Sequence, residues 1–216
     1  IDALFGPLHL DPGLGTVYVA AAGEAGGHLV LVDAVDLDVE GSVPIPAGFT
    51  LRALDSGRHL LYLATRDGRL QIWSATGGEP PEGAHEAGAA QVRAPLPVEQ
   101  VSRLFVAPGT ESIFAGSLYR SDDDGRTWFF LGTGLPADGI AHLAISPAFD
   151  DDGILFAAQA VGGSGGLGIW KSDTGGGTWR MANDGLDDLG IIDLAISPAF
   201  DADGTLFAMT RRQGLF

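Results

Sequence analysis

Apolar residues along this chain come in short runs bounded by Gly, Asp, Pro and Ser. No window of ten or more residues places them at i, i+3, i+4 and i+7, so the pattern predicts no helix. The runs carry β-branched or aromatic residues, which favours strands. An opening run recurs as LHLDP (8–12), LRALD (51–55), LFVAP (104–108), LAISP (143–147) and LAISP (194–198). A turn and a second run with one aromatic follow each: VYVA (17–20), LYLA (61–64), IFA (113–115), LFA (155–157) and LFA (206–208). Third runs are HLVLVD (28–33), RLQIWS (69–74), SLYRS (117–121) and GIWKS (168–172), and fourth runs are TWFFLG (127–132) and TWRMAN (178–183). Short runs at about ten-residue spacing, with turns between, predict antiparallel meanders.

The meanders repeat. LAISPAFDDDGILF (143–156) and LAISPAFDADGTLF (194–207) match at twelve of fourteen positions, offset by 51 residues. SDDDGRTW (121–128) and SDTGGGTW (172–179) share that offset. Two separate segments with one offset define a structural unit of about fifty residues, the size of a propeller blade. The expected fold is therefore all-β: a β-propeller of four-stranded antiparallel blades, about four and a half of them. The blades are expected at 4–45, 46–97, 98–137, 138–188 and, in part, 189–216. A lone four-stranded sheet has two apolar faces, and radial packing of blades buries them. The Asp-Gly steps of FDDDG and FDADG predict tight turns with a positive φ at Gly. Segment 75–97, rich in Pro, Gly, Ala and Glu, takes the place of the fourth strand of the second unit and reads as a long insertion.

Composition narrows the chemistry. The 216 residues carry 28 acidic and 12 basic side chains, a formal net charge of −16. Such a chain repels phosphate backbones and anionic bilayers, so nucleic acid is excluded as a partner class. No run approaches ~18 apolar residues, so no membrane-spanning helix is expected. The absence of Cys excludes a disulfide frame, a thiolate nucleophile and a Cys-based zinc site. The 33 Gly fit many tight turns.

SDDDGRTW resembles the Asp-box, S-x-D-x-G-x-T-W, of the BNR or sialidase-like repeat propellers. Ser121, Asp123, Gly125, Thr127 and Trp128 fill every position of the pattern. The second copy keeps Ser172, Gly176, Thr178 and Trp179, but Thr174 stands where the pattern has Asp. The resemblance implies a hairpin between the third and fourth strands of a blade, with structural residues rather than catalytic ones. Asp123 is expected to accept backbone N–H bonds from its own turn. Thr174 is expected to weaken the second turn by about 1 kcal/mol if no carboxylate replaces that bond.

Resemblance to sialidases would also imply an Arg cluster, a Tyr–Glu nucleophile pair and an acid Asp. Tyr18, Tyr62 and Tyr119 instead occupy repeated strand positions and read as core. Arg52, Arg103 and Arg120 lie near strands, but no Arg trio matches across successive units. Gly162-Gly163-Ser164-Gly165-Gly166 matches G-x-S-x-G, and Gly163, Gly165 and Gly168 match G-x-G-x-x-G. Both lie in one Gly-rich loop with no helix after it, the wrong context for either motif. His9, His28, His59, His85 and His142 show no zinc spacing. The acidic turns 122–124, 150–152 and 201–203 make calcium the one metal to consider, although the full D-x-D-x-D-G run and its later Glu are missing. No catalytic residue, metal ligand or cofactor is assigned.

Gly214-Leu215-Phe216 aligns with Gly168-Ile169-Trp170, so the fifth unit is expected to hold two strands and a stub. An edge there would be unpaired and apolar, which suggests an excerpt of a propeller with six to eight blades. The first functional expectation is a non-catalytic propeller, exported, periplasmic or on a cell surface, that serves protein interaction or assembly. Its candidate contact loops are 75–97 and 162–168. A second is a glycan-binding propeller, or part of a glycoside hydrolase whose catalytic residues lie elsewhere; exposure of Trp73, Trp128, Trp170 or Trp179 would favour it. The third resembles the Asp-box propeller that helps assemble photosystem II, where a basic face is expected. The single Lys, Lys171, weighs against that.

Overall fold

The computed structural model describes residues 3–4, 8–23, 26–65, 69–75, 91–92, 104–107, 109–116, 119–131, 134–135, 140–159 and 166–216. They fold into successive antiparallel meanders in two compact units, residues 1–116 with 121–128, and residues 117–120 with 129–216.

In the first unit, β1 (Ala3–Leu4) and β2 (His9–Asp11) both pair with β3 (Thr16–Gly23), which pairs in turn with β4 (Gly26–Asp33) and then β5 (Val39–Pro44). The second sheet is β6 (Phe49–Asp55), β7 (Leu60–Thr65) and β8 (Leu70–Ser74). β6 alternates buried and half-buried residues, the period-two pattern of a strand between two layers. Tyr18 and Leu29 of the first sheet pack with Phe49, Leu51, Leu61, Leu63 and Trp73 of the second in one core. Fully burying a side chain such as Leu63 contributes roughly 1.5–3 kcal/mol.

The insertion does not complete the second sheet among the described residues. β9 (Gln91–Val92) runs parallel to the strand starting at Thr127, pairing Gln91 with Thr127 and Val92 with Trp128. The third repeat begins with β10 (Leu104–Val106) against β11 (Ile113–Ala115).

β12 (Tyr119–Ser121) pairs with β13 (Thr127–Phe130) at Tyr119–Phe130 and Arg120–Phe129, four residues of the second unit. The fourth sheet is complete: β14 (Ile140–Ile145), β15 (Leu155–Gln159), β16 (Ile169–Ser172) and β17 (Arg180–Met181). The fifth holds β18 (Ile191–Ile196), β19 (Leu206–Thr210) and β20 (Gly214–Leu215). The repeated LAIS strands pair with the repeated LFA strands in matching register, Ala144 with Phe156 and Ala195 with Phe207. Phe156 is buried under the fifth sheet's side chains, whereas Phe207, its repeat equivalent, is exposed.

The FDDDG and FDADG turns differ from the expectation of no helix. Each closes as one helical turn, α1 (Phe149–Asp152) and α2 (Phe200–Asp203). Gly153 and Gly204 stop them at φ 60° and 62°, with the Gly N–H returned to the Phe carbonyl. One turn is too short for the helical periodicity to register in sequence. Asp152 fastens α1 by accepting Ser146 Oγ at 2.6 Å and Ile154 N–H at 2.8 Å. Asp203 repeats this with Ser197 and Thr205 at 2.7 and 2.8 Å. No helix among the described residues is long and apolar enough to cross a membrane.

Candidate functional site

The SDDDGRTW turn is a closed set of hydrogen bonds. Ser121, wholly buried, donates to Asp123 Oδ1 at 2.8 Å and accepts the Gly125 N–H at 2.7 Å. Asp123 also takes Thr127 N–H at 2.8 Å and Thr127 Oγ1–H at 2.7 Å. Burial pushes the Asp123 carboxyl up, but the bonds from Thr127 and Ser121 outweigh it and hold the group below the usual carboxylate range. Gly125 sits at φ 83°, and a Cβ there would meet Leu70 Cδ2 at 2.6 Å. Trp128 is buried and donates its indole N–H to Gly125 O at 3.1 Å.

In the second copy, Thr174 fills the carboxylate's place with a hydroxyl. Its Oγ1 accepts Thr178 N–H at 2.9 Å and lies 3.1 Å from Thr178 Oγ1 and 3.3 Å from Ser172 Oγ. Ser172 accepts Gly176 N–H at 2.9 Å. The carboxylate bond is absent from this turn, and a neutral oxygen reaches the same donors in its place. Half-buried Trp179 donates outward, to Leu131 O at 3.1 Å.

A larger polar cluster escaped the sequence reading. Arg58 makes two parallel bonds to Asp124, at 2.9 and 2.7 Å, and its Nη1 also donates to Thr110 O. Tyr62, fully buried, donates its phenol proton to Asp124 Oδ1 at 3.0 Å. Burial drives the Tyr62 phenol far up, and the Asp124 carboxylate adds to that. Asp124 itself holds φ 53°, a left-handed conformation that Asp tolerates better than most residues. Asp55, buried at the end of β6, accepts N–H bonds from Gly57, Arg58 and Gly109 at 3.0, 3.2 and 3.0 Å. Asp11 plays the same part at the end of β2: Oδ1 takes Gly13 and Leu14 N–H, and Oδ2 lies 2.7 Å from His59 Nδ1. A signal was present in sequence. LHLDPG and LRALDSG both set Asp two places before Gly, and in LHLDP that Asp occupies the position of the Ser of LAISP.

These groups hold turns. A Tyr, a carboxylate and an Arg stand together, yet the Tyr oxygen is inside and its proton is committed to Asp124. Tyr18 is buried and donates to Ala75 O at 3.3 Å, and Tyr119 is buried as well. Trp73 and Trp128 are buried and Trp170 and Trp179 half-buried, so none of the four is exposed. Burial lowers the His9 imidazole. Asp122, Asp123 and Asp124 diverge to Ser112, Thr127 and Arg58 respectively. Among the described residues no three His, Asp or Glu side chains converge on a point where a metal ion could sit. Arg103, His85 and the serine of G-x-S-x-G lie outside the described residues, as do both candidate contact loops except for Ala75, 91–92 and 166–168.

No family model matches the chain, and no curated protein does. Solved structures do. The chain is similar to the GH74 xyloglucanase from Xanthomonas campestris, with a TM-score of 0.59 at 20% identity over 95% of this chain and 35% of that one. It is similar to the hydrazine synthase of Kuenenia stuttgartiensis, with a TM-score of 0.59 at 16% identity over 95% of this chain and 56% of that one. It is also similar to the Cps50 (Swd1) β-propeller domain of Myceliophteria thermophila, with a TM-score of 0.57 at 14% identity over 97% of this chain and 65% of that one. The chain thus spans between a third and two thirds of these structures. Identity this low speaks for architecture alone, and with the repeated antiparallel meanders it shows that the chain has the β-propeller fold.

Proposed function

We propose that this chain is a non-catalytic Asp-box propeller, exported or displayed at a cell surface, that serves protein interaction or assembly. One observation carries the reading. In the cluster with the composition of a glycosidase nucleophile site, Tyr62 with Asp124 and Arg58, the phenol is fully buried, Arg58 and Asp124 are partly buried, and the three bond to one another. A glycosidase needs two carboxylates flanking a bond that a sugar can reach. Here Asp11 and Asp124 spend both oxygens on backbone N–H groups, His59, Arg58 and Tyr62, and Asp55 Oδ1 takes three backbone N–H groups while its Oδ2 is buried 3.9 Å from Arg58 Nη1. No cofactor enters this reading.

The second reading, a glycan-active propeller, is favoured by the likeness to the xyloglucanase. The burial of Trp73 and Trp128 and the half-burial of Trp170 and Trp179 weigh against it, since sugar platforms present an aromatic face to solvent. The photosystem-assembly reading lacks its basic face: Lys171 is the single Lys, against 28 acidic residues. The test is reducing-sugar release from xyloglucan and sialic acid release from sialyllactose. The expected result is no release above buffer. Release abolished by Tyr62→Phe, with folding intact, would overturn the non-catalytic reading.

A further inference from the structure

The first sheet's hairpin between third and fourth strands breaks the rule the boxes obey. It runs from Asp33, the end of β4, to Val39, the start of β5, the same six-residue step as Ser121 to Thr127. Asp33 caps it by accepting Val35 and Asp36 N–H at 2.7 and 3.1 Å, and Leu37 N–H returns to Asp33 O. Counted from the strand end, Leu37 stands where the boxes have Gly125 and Gly176, and shares their left-handed backbone, at φ 65° against 83° and 95°. A branched side chain is disfavoured there, and it gains nothing from burial. Val35, Leu37 and Val39 are 91%, 71% and 60% exposed, alternating with the exposed acids Asp36, Asp38 and Glu40.

We infer that this hairpin is a docking finger for a protein whose receiving surface is an apolar pocket rimmed with Lys or Arg. The inference rests on the interaction reading above and names the surface that serves it. An exposed Leu held at a left-handed position, with exposed Val35 and Val39 on either side, marks a contact rather than a fold-stabilising turn. Charge selects the partner. Residues 1–51 carry seven acidic side chains and no Lys or Arg. That field repels nucleic acid, anionic bilayers and a second copy of this chain, itself at −16, and steers toward a cationic protein surface.

The test places the photo-crosslinker p-benzoylphenylalanine at Leu37 or, as a control, at exposed Asp201, in the intact protein in cells of its source. The expected result is one protein crosslinked at 37 and not at 201. That protein, purified, then binds the wild type with an affinity that falls as salt rises, and at least tenfold more weakly when Leu37→Gly is introduced. Leu37→Gly keeps or raises the melting temperature, because Gly relieves the left-handed position, so a loss of binding is not a loss of fold. The inference is overturned by no product at 37, by a crosslinked second copy of the chain, by retention on phosphatidylcholine vesicles that Leu37→Gly abolishes, or by affinity indifferent to Leu37→Gly. Products at 201 alone, or at neither position, would overturn the finger and leave the interaction reading standing, since its contact loops 75–97 and 162–168 carry no crosslinker.

Discussion

The two box turns, 51 residues apart, share a backbone course and differ in what holds it. The first is self-contained: Asp123 gathers Ser121 and Thr127, and the Trp128 indole bonds to Gly125 O within the same turn. The second has only the Thr174 hydroxyl at that position and draws support from the strand before it. Trp179 bonds to Leu131 O, Arg120 donates to Gly175 O at 3.0 Å, and the Arg120 guanidinium lies 4.9 Å over the Phe149 ring. Gly176 leaves room for Leu131, whose side chain a Cβ there would meet at 2.6 Å. The turn thus requires an acceptor oxygen at one place, not a carboxylate. Where the acceptor is neutral, contacts from the neighbouring strand share the task.

That comparison breaks first at Asp123. Asp123→Ala removes a charged acceptor of three bonds and is expected to destabilise by about 2 kcal/mol, read by urea unfolding. Thr174→Ala removes a neutral acceptor and is expected to cost about 1 kcal/mol in the same assay. An equal loss at the two sites would deny that charge distinguishes them. Acid sharpens the contrast. Asp123 has a folded pKa below its unfolded value of ~3.9, so its contribution is complete above that value and is lost as pH falls through the depressed folded pKa. The gap between wild type and Asp123→Asn is therefore expected to narrow below pH ~4, whereas the gap to Thr174→Ala stays flat, since no titrating group occupies that position. Thr174→Asp is expected to stabilise by about 0.5 kcal/mol and to introduce the same acid sensitivity in the second turn. The smallest effect is that of calcium. With the acidic turns occupied by Ser, Thr and Arg donors, millimolar calcium is expected to leave the melting temperature unchanged, and a rise that EDTA reverses would show that those turns bind it.

Repetition made the sheets legible. The paired 51-residue offsets located β14 through β19, and the Asp-Gly steps located the positive φ of Gly153 and Gly204. The helical turns before those glycines were not legible, because four residues show no period. The Thr174 substitution was visible, but its outcome was not, since side-chain reach depends on a backbone already bent to bring Thr178 within 2.9 Å. The Arg58–Tyr62–Asp124 cluster was hidden for another reason. Its members lie 62 and 66 residues apart, and Asp124 read as one of three equivalent acids in a solvated turn. Partners separate the three, and those of Asp122 and Asp124 come from residues far from the run DDD. Leu37 was missed because an exposed Leu in a hairpin looks ordinary until its φ is known.

The polar clusters hold the fold. A double-mutant cycle on Arg58 and Asp124 tests this most directly, using Arg58→Met, Asp124→Asn and the pair, with unfolding free energy as the readout. Asn retains tolerance of the left-handed backbone at 124, so the cycle isolates the ion pair. The expected coupling energy is on the order of 2 kcal/mol, as for a two-bonded, partly buried pair that also anchors Tyr62. A coupling within about 0.3 kcal/mol of zero would contradict the account and leave Arg58, Tyr62 and Asp124 available for a role other than structure.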